Sequence, residues 1–430
     1  MPQFWFFVYN IFLLPLLWTG FRIASVFNPK IREGFEGRKN IFSNLSASNL
    51  SSFNTKRVLI HSSSLGEFQQ AIPLIEELKE KKYSIVCSFF SPSGYKHSKT
   101  PFNDIIKTYL PYDSVKNSRL FLDIVKPEII ILMRYDLWFN LLYEAKKRKI
   151  KLVIANARFD HKDKFWNWSI TSSFKKAMYK MIDKIFVIDD EDELYYRYKL
   201  KKFKGEVIRV GDSKYERVFN LFKDVKNEKP LPEEIIKGKK LFVIGSSWKD
   251  DEEILLPAID KALQNGVPLL TALVPHEPKE TKISAIEKNI KDRFDFIKAI
   301  RLSQIGNYKG ENLIIVDSVG LLIKLYSISY VSYVGGGFRT GLHNILEPVI
   351  FNQPVFFSNL VKNSDEDEVL LETGCGLLVH NKRQFYKDFK KILTDERYRN
   401  HIAERCRKVF ENTLGTAHRI INNITNDEIR

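Results

Sequence analysis

The chain has 430 residues, 68 of them Lys or Arg and 52 Asp or Glu, for a formal charge of +16. With 44% apolar and 28% charged residues it fits neither a disordered chain nor a polytopic membrane protein, and its length suits two or three domains of about 100–200 residues. Its three cysteines, Cys87, Cys375 and Cys406, lie far apart with no C-x-x-C pair, which excludes a disulfide framework and a thiolate zinc site and points to a reducing compartment.

No charged side chain occurs between Met1 and Phe21, and the run Phe4–Trp18 is almost continuously apolar. As a helix that run reaches about 22 Å, short of the ~30 Å hydrocarbon core; continued to Phe27 it is long enough to span. Arg22, Lys30, Arg32, Arg38 and Lys39 all follow it, the reverse of a secretory signal and the arrangement that keeps the body cytoplasmic. Trp5, Tyr9 and Trp18 are residue types that favour a membrane interface. Residues 1–40 are therefore expected to be a membrane anchor with a basic juxtamembrane segment, a core helix being the alternative. Because the first strand begins only near Val58, removing Met1–Phe27 is expected to leave the fold intact. The charge admits nucleic acid or an anionic membrane as partner. No zinc-finger spacing, RNP-like strand or basic heptad region is present, so the apolar segment favours the membrane and no nucleic acid.

From Val58 onward, short buried-looking runs alternate with helical patterns: Val58–His61, Ser84–Phe90, Glu128–Met133, Leu152–Ala155, Lys184–Ile188 and Glu206–Val210. That alternation predicts a parallel sheet with helices on both faces. Residues 41–225 form this first α/β domain. The polar, two-proline segment Asn227–Lys240 reads as a linker, assigned to 226–240. A second α/β series over 241–430 has strands at Leu241–Ile244, Pro268–Val274, Leu313–Val316, Tyr330–Val334 and Pro354–Phe357. Ligands in such sheets bind beyond the carboxyl ends of the strands, here in an expected interdomain cleft.

Three constellations could carry chemistry. His61-Ser62-Ser63-Ser64-Leu65-Gly66-Glu67 joins the first strand to an amphipathic helix, so Ser64 and Gly66 stand at an anion-binding helix start. On spacing alone Glu67, in the first turn, reads as a dipole-compensating glutamate with the serines as caps before it reads as a catalytic group. Val334-Gly335-Gly336-Gly337 followed by His343-Asn344-Ile345-Leu346-Glu347-Pro348 allows close approach of backbone to a phosphate, with Asn344 capping a helix that presents Glu347 to a ribose diol. It matches neither the dinucleotide fingerprint nor a P-loop, and a turn that merely lets the chain double back is the alternative. Arg134-Tyr135-Asp136-Leu137-Trp138 and Asn156-Ala157-Arg158 place cations and polar groups at the same strand edge as Glu67, a structural role being the equal alternative for each. The pairs Asp190/Asp192 and Asp365/Asp367 could hold Mg2+ or Mn2+. Both lie in acidic runs, and Asp190 with Glu193 reads as a capping box, so no metal site is assigned.

In order, these pieces resemble the 3-deoxy-D-manno-octulosonic acid (Kdo) transferases of lipopolysaccharide synthesis. The resemblance covers the apolar start, H61-S-S-S-L-G-E67, S91-P-S-G94, Y109-L-P-Y-D113, D136-L-W138, N156-A-R158, G211-D-S-K214, G245-S-S-W248, V274-P-H-E-P278 and G335-G-G with H343-N-I-L-E-P348. It implies a GT-B fold, two Rossmann-like domains facing across a cleft, and transfer of Kdo from CMP-Kdo to a lipid A precursor (lipid IVA) with inversion, without a cofactor, at the cytoplasmic face of the inner membrane. It makes Glu67 the general base and Asp136 its acidic companion. Donor contacts fall to Ser246, Ser247, Pro275, His276, the Gly335–Gly337 backbone, Asn344 and Glu347. Ser64, Gly66, Arg134 and Arg158 meet the acceptor or a carboxylate. The chain departs from the family where E-T-E-L-W-P reads Arg134-Tyr135-Asp136-Leu137-Trp138-Phe139, where P-R-H-P reads Pro275-His276-Glu277-Pro278, and in a shorter loop before His343. A UDP-sugar transferase or epimerase of the same fold, and a non-catalytic basic binding module, are the rival readings.

Overall fold

The computed structural model describes residues 2–48, 50, 55–100, 102–160, 163–225, 230–339, 341–361, 366–411 and 413–426. The chain divides into two compact units: residues 1–217 together with 415–430, and residues 218–414.

The first unit holds β1 (Arg57–Ser62), β2 (Ser84–Phe89), β3 (Ile106–Tyr109), β4 (Ile129–Met133), β5 (Lys151–Ala157), β6 (Lys184–Val187) and β7 (Glu206–Arg209). They form one sheet in the order β3-β2-β1-β4-β5-β6-β7, parallel throughout. Helices cover both faces, so strands such as β4 are buried along their whole length, as the continuous apolar runs require. The second unit holds β8 (Lys240–Ser247), β9 (Leu269–Pro275), β10 (Ala299–Arg301), β11 (Leu313–Ile315), β12 (Val331–Val334), β13 (Val355–Phe357) and β14 (Gly376–Leu378). Its parallel order is β10-β11-β9-β8-β12-β13-β14. In each sheet the order reverses beside the first strand, between β1 and β4 and between β8 and β12, which is where Rossmann-like sheets bind ligands. Part of the expected linker, 226–229, lies outside the described residues; after it comes a single helical turn, Glu233–Ile236.

Three expectations change. The helix Pro2–Phe27 is long and apolar enough to cross a membrane, but residues 1–40 are not a separable segment. Trp5 and Tyr9 are buried in the first unit's core. The Trp5 indole donates to Ser173 at 3.2 Å, the Tyr9 ring stacks on Phe174, and Asn10 and Asn140 exchange bonds at 2.9 Å. A π-helical turn at Tyr9–Leu13 widens the helix where these groups meet the body. Phe4, Phe7, Ile11, Phe12 and Leu16, on the other side, are exposed. Second, Arg38 is not a membrane-facing cation. It is buried, and its guanidinium donates to the carbonyls of Leu110, Gly34 and Phe90 at 2.7–2.8 Å, tying the segment to the strand ends. Third, the second domain does not run to residue 430. The helix Thr416–Thr425 buries Ala417, Ile420, Ile421 and Ile424 in the first unit's core beside Ile72 and Ile75, and Lys184 and Lys151 donate to its last carbonyls, Asn423 and Ile424, at 2.9 and 2.8 Å.

Candidate active site

In the first unit, β1 delivers His61 to the edge and the helix Leu65–Glu80 starts three residues later, with Ser64 as N-cap. The Ser64 hydroxyl accepts from the Glu67 amide at 3.3 Å. Glu67 reaches back, accepting from the Ser63 amide at 2.6 Å and the Ser63 hydroxyl at 2.9 Å. Burial pushes the Glu67 carboxyl above the ordinary glutamate range; the Ser63 bonds oppose this, nearby Asp136 adds to it and His61 subtracts. Asp136 is itself held by fully buried His61, whose Nε2 lies 2.9 Å from Asp136 Oδ2 and whose Nδ1 lies 2.9 Å from Ser88 Oγ. The ring thus bridges the Asp136 carboxylate and β2, its Nδ1 lying also 3.2 Å from the Ser88 carbonyl oxygen. Glu67 and Asp136, both expected at the site, are thus brought together, and His61 joins them.

Beside this trio lies a buried polar network. Arg134 Nε and Asn156 Nδ2 both donate to Gln70 Oε1, at 3.2 and 3.3 Å. Asn156 also donates to Asp212 at 3.0 Å and Ser213 at 2.7 Å, which gathers the N-A-R and G-D-S-K elements around one helix turn. Arg134 and Asn156 have φ of +62° and +53°, costly for residues with a Cβ and typical of functional strand ends. Arg158 is half-buried, its carbonyl accepting from Tyr196 at 3.3 Å. Gly66 stands exposed at the helix start, where a Cβ would meet nothing closer than Ser64 Oγ at 3.9 Å; packing does not demand glycine there. Asp113 serves structure. It accepts from the Asn140 and Leu141 amides, both at 2.9 Å, and so caps the helix Phe139–Lys147.

In the second unit the expected donor residues gather at the ends of β8, β9 and β12. Ser246 has φ of +52°, and the buried Ser247 hydroxyl donates to Glu252 at 2.9 Å. Ser247, Trp248, Glu252, Pro275, Lys282 and Arg293 line a cavity of about 570 Å³. His276 stacks between Trp248 and His343, with ring centres 4.6 and 4.5 Å apart. Asn344 Nδ2 donates to Glu347 at 3.1 Å, and its Oδ1 accepts the Leu346 amide at 3.3 Å, starting the short helix Leu346–Val349.

The glycine loop differs from its expected use. A Cβ at Gly335, Gly336 or Gly337 would come within 2.4, 2.3 or 1.5 Å of the backbone oxygens of Ser246, Gly341 or Ser358, so the glycines let the loop pack against the backbone of the neighbouring strand ends and of the loop itself. The Gly335 amide donates to Gly245 O at 2.9 Å and the Gly336 amide to Asp251 at 3.2 Å, leaving neither turned to a ligand. Thr340, within the loop, lies outside the described residues. The acidic pairs are also committed. Asp189 rather than Asp190 is the N-cap of its helix, accepting the Asp192 amide at 2.8 Å. Asp190 pairs with Arg209 and Asp192 accepts the Phe159 amide. Asp367 accepts from Asn359, and Asp365 lies outside the described residues.

Sequence reasoning gave no role to His61, Trp248 or His343, although each stood inside a quoted motif; stacking and the dyad follow from the strand register, which pairs His61 with Leu132. Desolvation and neighbouring His276 lower the His343 pKa from 6.5 to about 4. Above pH 6.5 neither folded nor unfolded chain protonates it. Below, the unfolded chain takes up a proton that the folded unit refuses until about pH 4, so this group's stability contribution falls with pH across that window. Thermal melts between those pH values should show a smaller acid loss in His343→Gln than in the wild type; identical curves would exclude the buried neutral imidazole.

Residues 35–217 match the family model described as 3-Deoxy-D-manno-octulosonic-acid transferase (kdotransferase). The Haemophilus influenzae 3-deoxy-D-manno-octulosonic acid transferase is 27% identical over 430 residues, 97% of each chain, and that of Aquifex aeolicus 29% identical over 78% of this chain and 85% of its own. A Fusobacterium nucleatum bifunctional glycosyltransferase/methyltransferase is 28% identical over 85% of this chain; the match spans 58% of that longer relative. Among solved structures, the UDP-GlcNAc 2-epimerase of Neisseria meningitidis matches with a TM-score of 0.57 at 13% identity, over 86% of this chain and all of its own. The S. aureus MnaA–UDP structure matches at 0.54 and 15% identity, over 86% and 96% of the two chains. Both share the fold, that of the GT-B class.

Proposed function

This chain belongs to the Kdo transferase family, and from that premise we propose that it moves Kdo from CMP-Kdo to a phosphorylated lipid A precursor, inverting the anomeric carbon, at the cytoplasmic face of the inner membrane. The observation that carries this reading is Glu67: a half-buried carboxylate with a raised proton affinity at a helix start, beside the His61–Asp136 pair. Glu67 removes the proton from the acceptor hydroxyl as its oxygen attacks C2 of Kdo, and the bond to CMP breaks with its electron pair going to the phosphate. A carboxylate has about four lone-pair sites, so the two Ser63 bonds orient Glu67 and leave room for the substrate. Asp136, fixed by His61, keeps the proton affinity of Glu67 high. The amides of Leu65 and Gly66, first in the helix and outside its internal ladder, receive an anion together with Ser64, Arg134 and Arg158. Glycine at 66 leaves the space open to it.

In the second unit, Ser246, Ser247, Pro275 and His276 hold the nucleotide, His276 through its neutral ring face, and Glu347 with Asn344 holds the ribose. With the Gly335 and Gly336 amides engaged internally, the glycine loop shapes the site, and the leaving phosphate relies on the side chains around it.

Glu347→Ala should weaken CMP-Kdo binding about tenfold or more, the worth of a hydrogen bond to a charged acceptor; unchanged affinity in calorimetry would remove its ribose role. The whole reading is tested by incubating the protein with CMP-Kdo and tetraacylated lipid A precursor and weighing the product. A mass increase of one or more Kdo units is expected, with stabilisation by CMP over UDP. No adduct together with a preference for UDP would overturn it in favour of a UDP-sugar enzyme.

A further inference from the structure

The first unit carries a second concave surface away from Glu67. Lys176, Lys180, Lys199, Lys201 and Lys202 line a cavity of about 430 Å³ whose walls, among the described residues, contain no Asp or Glu. Its apolar lining is Trp166, Leu200 and Phe203. Lys176 and Lys180 come from the end of the helix Ser169–Tyr179 and its cap, and Lys199 ends the helix Asp190–Lys199. These helices lead into the amino ends of β6 and β7, so the lysines lie toward the edge of the sheet opposite Glu67, which follows the carboxyl end of β1, while Trp166 and Ser172 carry the cavity wall back toward the start of the first of these helices. Lysines at helix ends compensate the dipole, which accounts for one or two of the five. It does not account for Lys201 and Lys202, which follow the helix, nor for the gathering of five cations around one concavity, a field that attracts an anion.

Exposed apolar side chains on and before the same helices identify the anion. Phe165, Trp168, Ile170 and Tyr198 are all more than half exposed, an apolar fringe that no soluble anion requires. The Thr171 hydroxyl donates to the Phe165 and Trp168 carbonyls, holding the fringe on the helix start. The same helix packs on the apolar amino-terminal helix through Ser173 and Phe174. Trp5, Tyr9, Met178, Tyr196 and Leu200 belong to one core cluster, so that helix, whose outer side is apolar, and both lysine-bearing helices cover the same face of the sheet.

We propose that this lysine-lined cavity binds the phosphate-bearing headgroup of an anionic phospholipid, with Phe165, Trp168 and Ile170 entering the bilayer surface beside it. The cavity thus forms a second membrane contact that orients the first unit. The proposal rests on the membrane reading of the amino-terminal helix and not on Kdo transfer, and its test reads lipid binding alone.

The full chain is floated with vesicles of phosphatidylcholine alone and of phosphatidylcholine with one-third phosphatidylglycerol. Each lysine near an anionic surface is worth about fivefold. Lys199→Ala/Lys201→Ala/Lys202→Ala should therefore lose roughly a hundredfold of the preference for anionic vesicles while keeping binding to neutral ones. A charge-matched triple in the second unit, Lys382→Ala/Lys387→Ala/Lys390→Ala, should lose only a fewfold. The double variant Lys201→Ala/Lys202→Ala, confined to exposed side chains, replaces the first triple should that fail to fold. Equal losses in the cavity and control variants, or no loss in the cavity variant, would overturn the proposal. So would loss of affinity for a short single-stranded RNA with the lipid preference intact, which would make the cavity a nucleic-acid site.

Discussion

Glu67→Gln should lower transfer by about 10²–10⁴-fold, the usual worth of general-base assistance, with CMP binding and melting temperature unchanged. The substitution keeps the shape and can still accept from the Ser63 amide, so the helix start survives. What disappears is the proton acceptor. The pH profile gives an independent sign. In the proposed mechanism transfer needs Glu67 ionised, and burial and Asp136 both raise its pKa, so the acidic limb of the rate should lie above the ordinary glutamate range. Asp136→Asn removes one raising charge and should shift that limb to lower pH while weakening the orientation that His61 provides. Near-normal turnover in Glu67→Gln, or a limb that ignores Asp136, would take these residues out of the mechanism.

The amino-terminal helix predicts two opposite outcomes from two changes. Deleting residues 1–13 should destabilise the first unit by about 5 kcal/mol: roughly 1.5–3 kcal/mol each for the buried Trp5 and Tyr9 side chains and about 1–3 kcal/mol for leaving Asp113, to which the Tyr9 hydroxyl bonds, short of a partner. That is a large share of a domain's total stability. Exchanging the exposed Phe4, Phe7, Ile11, Phe12 and Leu16 for serine should instead release the protein from vesicles with its melting curve retained. Circular dichroism melts and vesicle flotation read both. A deletion variant that melts like the wild type would restore the picture of a detachable anchor. The docked half also limits geometry: Leu14–Phe27 alone reaches about 21 Å, short of the ~30 Å core, so the helix is expected to lie in the membrane surface rather than cross it.

Most of the fold was legible because parallel strands buried on both faces leave uninterrupted apolar runs, as in Ile129–Met133. The three strands that the pattern did not reveal, Ile106–Tyr109, Ala299–Arg301 and Gly376–Leu378, are all at sheet edges, where one neighbour suffices and a Lys or Arg can face solvent. The return of the last helix to the first unit left no local mark, since its amphipathic pattern states that a face is buried and not against which partner. At the candidate site, Glu67 and Asp136 stood inside quoted motifs. The His61 link between them was not legible there, because it depends on strand register. The glycine loop misled for a physical reason: close approach of backbone to backbone selects glycine as strongly as close approach of backbone to phosphate.

The closing helix, Thr416–Thr425, makes the second unit an insertion within the first, and this matters during synthesis. Domains commonly fold in the order in which they leave the ribosome. Here the first unit lacks Ala417, Ile420, Ile421 and Ile424 until the residues after the second unit emerge, so its nascent form carries an open apolar face along the helix Leu65–Glu80 while the second unit is being made. Of the two units the one that begins first is completed second, and the helix Leu65–Glu80 acquires its full backing only after the whole second unit has been made.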